Sequence, residues 1–315
     1  MKIVVDAAGC DNPTALSAGI ADAINQTGAR IVAFGNKRLI EQALSEKQFD
    51  RAKLEIVNTE QTITNDDAPV RAVISKKQSS LVLAMHRTAF DDDCKAIISA
   101  GNTGAVLCAA SIVLGRAEGV ERPALATTLP NKKGGFVCIA DCGANVDCRP
   151  EQLFNFAILA ANHMRKLNGR EPVVATLSVG TEDKKGNEQS KATFDLLKNS
   201  KLNFVGNIEA KSVLDGEVDV VVCDGFSGNV LLKSIEGTAK FVAEMYTKLL
   251  MKNLPQDADA GFVKKSLAQL TQSIDFTSAG GAFLLGTKKL VIKAHGAANE
   301  QTICGCVKQA IDAVK

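Results

Sequence analysis

The chain has 315 residues, of which 46% are hydrophobic and 23% are charged, and its formal net charge is +2. This length and composition are typical of a globular protein with a large core, built as one α/β unit or as two lobes, and the low net charge gives the protein no strong overall electric field. The chain has no Trp and one Tyr, so it lacks the aromatic platforms on which bases stack, and we expect no nucleic-acid partner.

Nine short apolar segments alternate with stretches that have apolar residues at helical spacing, such as Ala15 to Thr27 and Glu151 to Leu167. Strands that are apolar on both faces lie in a sheet covered by helices on both sides. The alternation therefore predicts an α/β fold with three α/β/α layers and a mostly parallel sheet. The predicted strands, in chain order, are KIVVDA, ARIVAFG, LEIVN, AIISAG, ALATTLP, FVCIADCG, VVATLSVG, NFVGNI and DVVVCDG.

Residues 96–115 carry no charge and have the length of a membrane span, but SAGNTG interrupts them. These glycines and polar residues would break a spanning helix, so we predict a buried strand, a tight turn and a helix from about Thr103. The nine cysteines include no C-x-x-C pair. We interpret them as small buried thiols in a reducing cytosol and predict no metal site.

A long helical hairpin is predicted over residues 231–274, with its turn at NLPQDADAG. Positions 231, 235, 238, 242, 245 and 249 form one mostly apolar stripe, and positions 263, 267, 270 and 274 form another. The hairpin is expected to pack in the core, to form a dimer bundle or to contact a membrane. Its tip, MYTKLLMKNLP, places Leu, Met and Tyr beside Lys248 and Lys252, which is the composition of an interfacial anchor.

Three glycine-rich turns follow predicted strands, in SAGNTGAVL, ADCGANVDC and VCDGFSGN. Ligands of parallel α/β sheets bind at the carboxyl ends of strands, where glycines let backbone N–H groups approach an anion and the next helix presents its positive end. Four such junctions, counting the one after the first strand, are expected to converge on one sheet edge and bind an anion such as phosphate. Each candidate side chain also suits a helix cap or a turn. The candidates are Asn102, Thr103, Asn145, Ser227 and Asn229, with Asp6, Asp11, Asp141 and Asp224 at strand ends.

The sequence lacks several motifs of nucleotide-binding and hydrolytic enzymes, and their absence reduces the number of reaction types to consider. No G-x-x-x-x-G-K-[ST] or G-x-G-x-x-G occurs, and Ser227 lies in GFSG rather than in G-x-S-x-G, so nucleotide folds and a nucleophile elbow are not indicated. His86 and His163 fall in helical patterns and are predicted to lie on the surface. His295, at a strand end, is the histidine with a candidate role in site chemistry, against an alternative structural role.

The candidate residues suit a reaction in which the substrate itself is the nucleophile and needs no activation by a catalytic triad. Inorganic phosphate is largely dianionic near neutral pH and can attack a thioester without a catalytic triad. The protein then needs a phosphate cradle and donors for the developing oxyanion. The thiolate leaving group has a pKa near ~8.5 and needs little help from an acid.

Seven short motifs occur along the chain in this order: DAAGCDNP, SAGNTGA, DCGANVDCRP, KKGNE, CDGFSGNVLLK, GGAFLLG and HG. Through these motifs the chain resembles the bacterial phosphate acyltransferase family of phospholipid synthesis, from Lys2 to about Gly296. The resemblance implies transfer of a long-chain acyl group from acyl-[acyl carrier protein] to inorganic phosphate, without a cofactor. It also implies a cytoplasmic homodimer attached peripherally to the inner face of the cell membrane. The implied fold is similar to isopropylmalate dehydrogenase and phosphotransacetylase. The acidic carrier protein would suit a docking surface made by the Lys doublets that are scattered along the chain, at 76–77, 132–133, 184–185, 264–265 and 288–289.

The resemblance, by analogy with phosphotransacetylases, also implies roles for individual residues. The implied catalytic residues are Asn229, Ser227, Asp224 and His295. A phosphate and oxyanion cradle would be formed by Asn102, Thr103, Ser227, Gly228 and Asn229, with Asp224 orienting the loop. Lys184 or Lys185 would add positive charge near the phosphopantetheine arm of the carrier. Further implied binding residues are Asp6, Asp11, Asn12, Gly101, Gly104, Asp141, Asn145, Asn187, Gly225 and Lys233.

Two segments depart from the family pattern. Ala8 and Cys10 stand in the first turn where relatives usually carry Met and Gly, and Cys10 would be strained there if the turn needs a positive φ. Ala297 and Ala298 replace the hydroxyl residues that usually follow HG.

Other interpretations remain open at this point. They are a phosphotransacetylase acting on short acyl-CoA, a decarboxylating dehydrogenase of the same fold, and a non-catalytic membrane-associated scaffold. We expect residues 1–315 to act as a single catalytic unit, with the hairpin used for dimer or membrane contact.

Overall fold

The computed structural model describes residues 1–253, 260–274 and 280–314. Within these ranges all the strands belong to one eleven-stranded sheet. All nine predicted strands are present, and two more, β10 and β11, follow the hairpin. The strands are β1 Lys2–Asp6, β2 Arg30–Gly35, β3 Leu54–Asn58, β4 Cys94–Ser99, β5 Ala124–Pro130, β6 Phe136–Ala140, β7 Val173–Ser178, β8 Asn203–Glu209, β9 Val220–Val222, β10 Ala282–Leu285 and β11 Leu290–Lys293.

Helices cover both faces of this sheet. They are α1 Pro13–Thr27, α2 Lys37–Ala43, α3 Pro69–Ser75, α4 Ser80–Phe90, α5 Thr103–Ala109, α6 Pro150–Asn168, α7 Glu188–Lys198, α8 Gly225–Lys252, α9 Ala260–Ile274 and α10 Glu300–Val314. Short 3₁₀ turns precede β3 and β9, and a π-helical turn at 110–114 extends α5.

The strand order is β3-β2-β1-β4-β11-β10-β5-β6-β9-β7-β8. Strands β1 to β4 and β11 are parallel neighbours, and so are β6, β9, β7 and β8. Between these groups, β10 is antiparallel to β11 and to β5, and β5 is antiparallel to β6. Three reversals make the second group run opposite to the first. The prediction that all the polar junctions share one sheet edge is therefore wrong, because β6 and β9 end at the edge opposite to the ends of β1, β4 and β11.

Four apolar clusters lie between the sheet and the helices. In the first strand group, one cluster packs β1, β2 and β4 against α1 and α10, and another packs the opposite face against α4 and α5. In the second group, α6 and α7 cover one face, whereas Leu231 and Leu232 of α8 cover the other. Fully burying one such side chain contributes about 1.5–3 kcal/mol, so helices on both faces stabilise both halves. The predicted three-layer α/β/α architecture is confirmed.

The helical hairpin is confirmed as two helices, α8 and α9, which contact each other. The predicted turn between them lies mostly outside the described residues. The helix start at Leu231 was predicted too late, since α8 begins at Gly225, directly after its N-cap residue Asp224. The glycine-rich segment is thus the first turn of α8 rather than a loop before it.

One histidine differs from its predicted position. His163 of α6 is half-buried, and its ring packs against Phe283 of β10 with 4.5 Å between the ring centroids. Burial lowers the pKa of His163 to about 4, so the ring is neutral at physiological pH. The surface prediction is wrong for His163 because its helical face lies over β10, whereas His86 is exposed as predicted.

Within the part of the chain that the structure describes, no helix has the length and apolarity needed to cross a membrane. Residues 96–115 instead form the end of β4, a turn, and the helix that begins at Thr103, as predicted. All nine cysteines are free thiols.

Candidate functional site

The predicted site residues fall into two groups, at opposite edges of the sheet. The first group follows β1, β4 and β11, and the second follows β6 and β9. Helix α8 begins at the edge where β9 ends and runs toward the opposite edge, where Lys233 in its third turn contacts His295 of the first group. The local geometry of each group decides which side chains can face a ligand.

Asp6 is a buried carboxylate at the end of β1. It is 1% exposed, and Ser99 Oγ at the end of β4 donates a hydrogen bond of 2.7 Å to its Oδ2. The same Ser99 hydroxyl accepts a bond of 3.2 Å from the backbone N–H of Gly101. Burial raises the pKa of the Asp6 carboxyl, and hydrogen bonds from neighbouring hydroxyls oppose this effect. Asp6 therefore holds the glycine-rich turn after β4 against β1.

Asn102 is the N-cap residue of α5. Its Oδ1 accepts the Ala105 N–H at 3.0 Å, and its Nδ2 donates to the backbone carbonyls of residues 64, 65 and 67 at 3.3–3.4 Å. Both ends of the amide are thus used to fix this loop. Thr103 and Gly104 open the helix, so their backbone N–H groups have no intrahelical partner and are the donors of this turn that can face a ligand.

The turn after β1 is joined to the HG segment. The Asp11 N–H donates to Gly296 O at 3.1 Å, and Asp11 Oδ1 accepts from Asn65 Nδ2 at 3.3 Å. Asn12 caps α1 by accepting the Ala15 N–H. These contacts give Asn12 a structural role and place Asp11 beside the loop that carries His295.

The departures from the family pattern cause no backbone strain. Cys10 does not adopt a positive φ, so its side chain fits the first turn. Burial raises the pKa of the Cys10 thiol to about 11. At the HG segment, the Ala297 N–H donates to His295 Nδ1 at 3.2 Å, a contact that needs no hydroxyl side chain.

Lys293 was missed by the sequence analysis. It ends β11 directly beside Ser99 of β4, is 9% exposed, and donates from Nζ to Ala294 O at 2.5 Å. Burial lowers its pKa to about 8, while nearby acidic groups that include Asp6 oppose the shift. The signal in the sequence was a lysine at the end of the apolar run LVIK, which is unusual for a strand end that is buried.

Asp141 organises the second group. Its Oδ1 accepts the N–H groups of residues 125, 143 and 144 at 3.0–3.1 Å, and its Oδ2 accepts the backbone and side-chain N–H of Asn145 at 2.7 Å. The carboxyl is fully buried, and burial raises its pKa against the opposing effect of these bonds. Asn145 in turn donates to Pro123 O at 2.9 Å. Asp141 and Asn145 are therefore the frame of the loop after β6.

The first turn of α8 packs directly on this loop. Asp224 Oδ1 accepts the Ser227 N–H at 2.7 Å, and its Oδ2 accepts the Ser227 hydroxyl at 3.1 Å. Gly225 and Gly228 lie against the backbone of residues 145 and 141, where a Cβ on Gly228 would be 1.8 Å from the Asp141 carbonyl oxygen. Only glycine fits at position 228.

Helical periodicity separates two residues of the predicted cradle. Ser227 and Asn229 are two positions apart in α8, so their side chains diverge by about 200°. Ser227 lines a cavity with residues 187 and 189, whereas Asn229 lies near Gly143. Lys233 follows Asn229 by one helical turn and shares its side of the helix.

Lys233 and His295 connect the two groups. Lys233 Nζ lies 3.5 Å from His295 Nε2 and 2.7 Å from Glu236 Oε2. Burial and then the charge of Lys233 lower the pKa of His295. Because α8 rises about 1.5 Å per residue, eight residues carry the chain about 12 Å from Gly225 toward the opposite edge, which explains the contact.

The KKGNE segment reaches the second group. Asn187 caps α7 by accepting the Ser190 N–H at 2.8 Å, and it lines the same cavity as Asp224 and Ser227. Lys184 and Lys185 are exposed just before it. Over residues 1–253, 260–274 and 280–314, no cluster of His, Cys, Asp or Glu is arranged to hold a metal ion.

The fold is similar to that of enzymes with known structures. A phosphotransacetylase from Streptococcus pyogenes aligns with a TM-score of 0.65 at 16% identity, over 100% of this chain and 94% of that one. A 4-hydroxythreonine-4-phosphate dehydrogenase from Klebsiella pneumoniae aligns with a TM-score of 0.57 at 12% identity, over 100% and 99% of the two chains. At such identities the similarity shows the fold alone, and it confirms the predicted fold class.

Sequence comparison is more specific. The family described as "Fatty acid synthesis protein" matches residues 1–315. The phosphate acyltransferase of Clostridioides difficile (strain 630) is 43% identical over 313 residues, which cover 99% of this chain and 92% of that protein. The phosphate acyltransferase of Bacillus cereus (strain B4264) is 44% identical, over 98% and 93% of the two chains. The predictions of the family and of an enzyme are both confirmed, and the chain belongs to the phosphate acyltransferase family.

Proposed function

We propose that this protein transfers a long-chain acyl group from acyl-[acyl carrier protein] to inorganic phosphate, supplying acyl phosphate for glycerophospholipid synthesis. A phosphate oxygen forms the new bond to the thioester carbonyl carbon, the C–S bond breaks, and the carrier thiolate takes up a proton. The near-full-length identity with relatives named phosphate acyltransferase carries this proposal. Residues 1–315 act in it as one catalytic unit in the cytoplasm.

The contact between the two strand groups supports a place for the phosphate. Asn229 and Lys233 share one side of α8, and Lys233 reaches His295 from the other group. An amide, an ammonium group and an imidazole can all donate hydrogen bonds to an anion. We place phosphate on this side of α8, and the backbone N–H groups of Thr103 and Gly104, which have no hydrogen-bond partner among the described residues, are available for the oxyanion.

The direct test is an assay for acyl phosphate trapped with hydroxylamine. Palmitoyl-[acyl carrier protein] and phosphate should give the hydroxamate, and omission of phosphate should abolish it. Folded protein that forms no phosphate-dependent product with any thioester would overturn the proposal.

A second candidate is a phosphotransacetylase that acts on short acyl-CoA, and the fold similarity favours it as the alternative. The same assay with acetyl-CoA and palmitoyl-CoA separates the two. Faster product formation from acetyl-CoA than from the long-chain carrier thioester would establish the alternative.

Replacing Asn229 by Asp should lower turnover at least tenfold, because it puts a negative charge where the proposal places phosphate; like charges at about 4 Å cost ~4 kcal/mol at an effective dielectric constant near 20. Asn229 is exposed, so the fold should be retained. The measurement is kcat and the KM for phosphate. Asn203→Asp, an exposed site at the start of β8, is the matched control and should behave like the wild type. An unchanged Asn229→Asp enzyme would remove this residue from the site.

The first helix of the hairpin, α8, carries an exposed apolar surface. Phe241, Val242, Met245, Tyr246 and Leu249 lie on one side of α8 and are 45–64% exposed. A contiguous exposed apolar surface of this kind marks an interaction site. We propose that a second copy of the chain covers this stripe, and that the tip of the hairpin contacts the inner face of the cell membrane.

Two charge substitutions in α8 should separate these contacts. Met245→Glu should convert dimer to monomer in sedimentation, because it buries a charge in the subunit interface. Leu250→Glu, in the last turn beside Lys248 and Lys252, should abolish flotation with anionic phospholipid vesicles while the dimer persists. Monomeric wild-type protein would contradict the dimer, and unchanged flotation of Leu250→Glu would contradict the membrane contact.

The acidic carrier protein needs a positively charged docking surface. Lys184 and Lys185 are exposed and precede by two to three residues Asn187, which caps α7 and lines the cavity. We propose that they attract the carrier near the entrance of its phosphopantetheine arm.

A further inference from the structure

A cavity of about 610 Å³ lies in the second strand group, between the loop after β6 and the N-terminal turns of α7 and α8. Its size is within the range of about 300–1,000 Å³ that is typical of small-molecule sites. The first turn of α8 forms one wall with Phe226 and Ser227. The cavity is therefore next to the helix turn that carries Asn229.

Two large apolar side chains are exposed at this cavity. Phe226 is 62% exposed and Val146 is 56% exposed, and both line it together with the half-buried Cys148. No packing requirement explains an exposed phenyl ring in the first turn of α8, since the neighbouring Gly225 and Gly228 make the contacts to the loop. These side chains provide an apolar wall for a ligand.

The polar lining is made of amides and carboxylates. Asn187 and Gln189 each keep one end of the side-chain amide without a partner in the described residues, and the carboxylate of Asp147 has no hydrogen-bond partner there either. Asp224 adds a second carboxylate, and none of the described residues that line the cavity is Lys or Arg. Two carboxylates in the lining disfavour phosphate inside the cavity, whereas they accept hydrogen bonds from amide N–H groups.

We infer that this cavity binds the pantetheine arm of the acyl donor, with Phe226 packed against the arm. The inference rests on the proposed function and deepens it. A pantetheine arm is an uncharged chain in which methylene groups alternate with amides and which ends in the thioester, so it matches a lining of apolar side chains, free amides and carboxylates. The arm then reaches α8 on the side of Ser227 and phosphate on the side of Asn229, and Phe226, three residues before Asn229, lies between the two.

The test is the variant Phe226→Ala, assayed with acyl-[acyl carrier protein] and with the corresponding acyl-pantetheine, which lacks the carrier protein and its phosphate. Loss of the ring contact should raise the KM for both donors by about tenfold. The KM for phosphate should remain within about twofold of the wild type, because phosphate does not enter this cavity. The side chain is exposed, so the variant should fold.

Phe136→Ala is the matched control, since Phe136 is 46% exposed at the opposite end of β6, and it should leave every constant unchanged. A raised KM for acyl-[acyl carrier protein] with an unchanged KM for acyl-pantetheine would assign Phe226 to the carrier surface and overturn the inference. A raised KM for phosphate, or no change at all, would overturn it as well. These outcomes require an active wild type, so they are distinct from failure of the proposed function, in which the wild type forms no acyl phosphate.

Discussion

Gly228→Ala should destroy the active conformation of the first turn of α8. The added Cβ would lie 1.8 Å from the Asp141 carbonyl oxygen and 2.8 Å from Cys223 Sγ, so the helix start or the loop after β6 must move. Overpacking against backbone should cost about 3 kcal/mol or more, and a displacement of about 1 Å can lower catalysis by about a hundredfold. Thermal unfolding and the acyl phosphate assay measure both effects.

Gly237→Ala is the internal control for this change. Gly237 lies nine residues, about two and a half turns, further along the same helix, and a Cβ there would meet no atom within 4 Å. Ala is preferred over Gly in a helix by about 1 kcal/mol, so this variant should unfold at the same or a higher temperature and keep full activity. Equal behaviour of the two variants would show that the contact between α8 and residue 141 is not as described.

Asp141→Asn should destabilise the protein strongly although the two side chains have the same shape. The carboxylate accepts five N–H donors, two of them on Oδ2. In the Asn variant an NH₂ group replaces one carboxylate oxygen, so its N–H groups would face the N–H groups that this oxygen accepts. Those buried donors would lose their acceptor, which should lower the free energy of unfolding by about 3–5 kcal/mol. Because the frame of the loop is lost, acyl transfer should fall at least about a hundredfold.

Thermal and urea unfolding followed by circular dichroism measure this loss. The melting temperature should fall by roughly 10 °C. Asp195→Asn, an exposed site on α7, is the matched control and should change stability by less than about 0.5 kcal/mol. A stable Asp141→Asn variant would mean that the loop does not depend on the ionised carboxylate.

Local patterns in the sequence predicted most of the secondary structure. All nine strands were found because each is a short apolar run next to a helical pattern, and this relation depends only on neighbouring residues. β10 and β11 were missed because AFLL and LVIK are short and interrupted by the GTKK turn. The start of α8 was misplaced because glycines in GFSG are typical of turns, whereas here they allow a close approach to residues 141 and 145.

The candidate residues were chosen by motif, but their grouping was not contained in the motifs. The side-chain amide of Asn102 donates hydrogen bonds to backbone carbonyls of residues 64–67, which lie 35 to 38 residues away in the sequence. Ser227 and Asn229 were predicted to belong to one phosphate cradle, but both lie in α8, where a spacing of two residues puts their side chains on different sides of the helix. Lys293 gained its significance only from burial beside β4.

The sequence by itself therefore determined the α/β class, the family and the glycine-rich junctions, because composition, periodicity and motif order are local properties of the chain. Only the tertiary structure decided where those junctions meet. The antiparallel pairings around β10 and β5 reverse half of the sheet, and strand direction depends on hydrogen bonds between residues far apart in sequence. That reversal sends β6 and β9 to the opposite edge, makes α8 the element that spans the two groups, and brings Lys233 to His295.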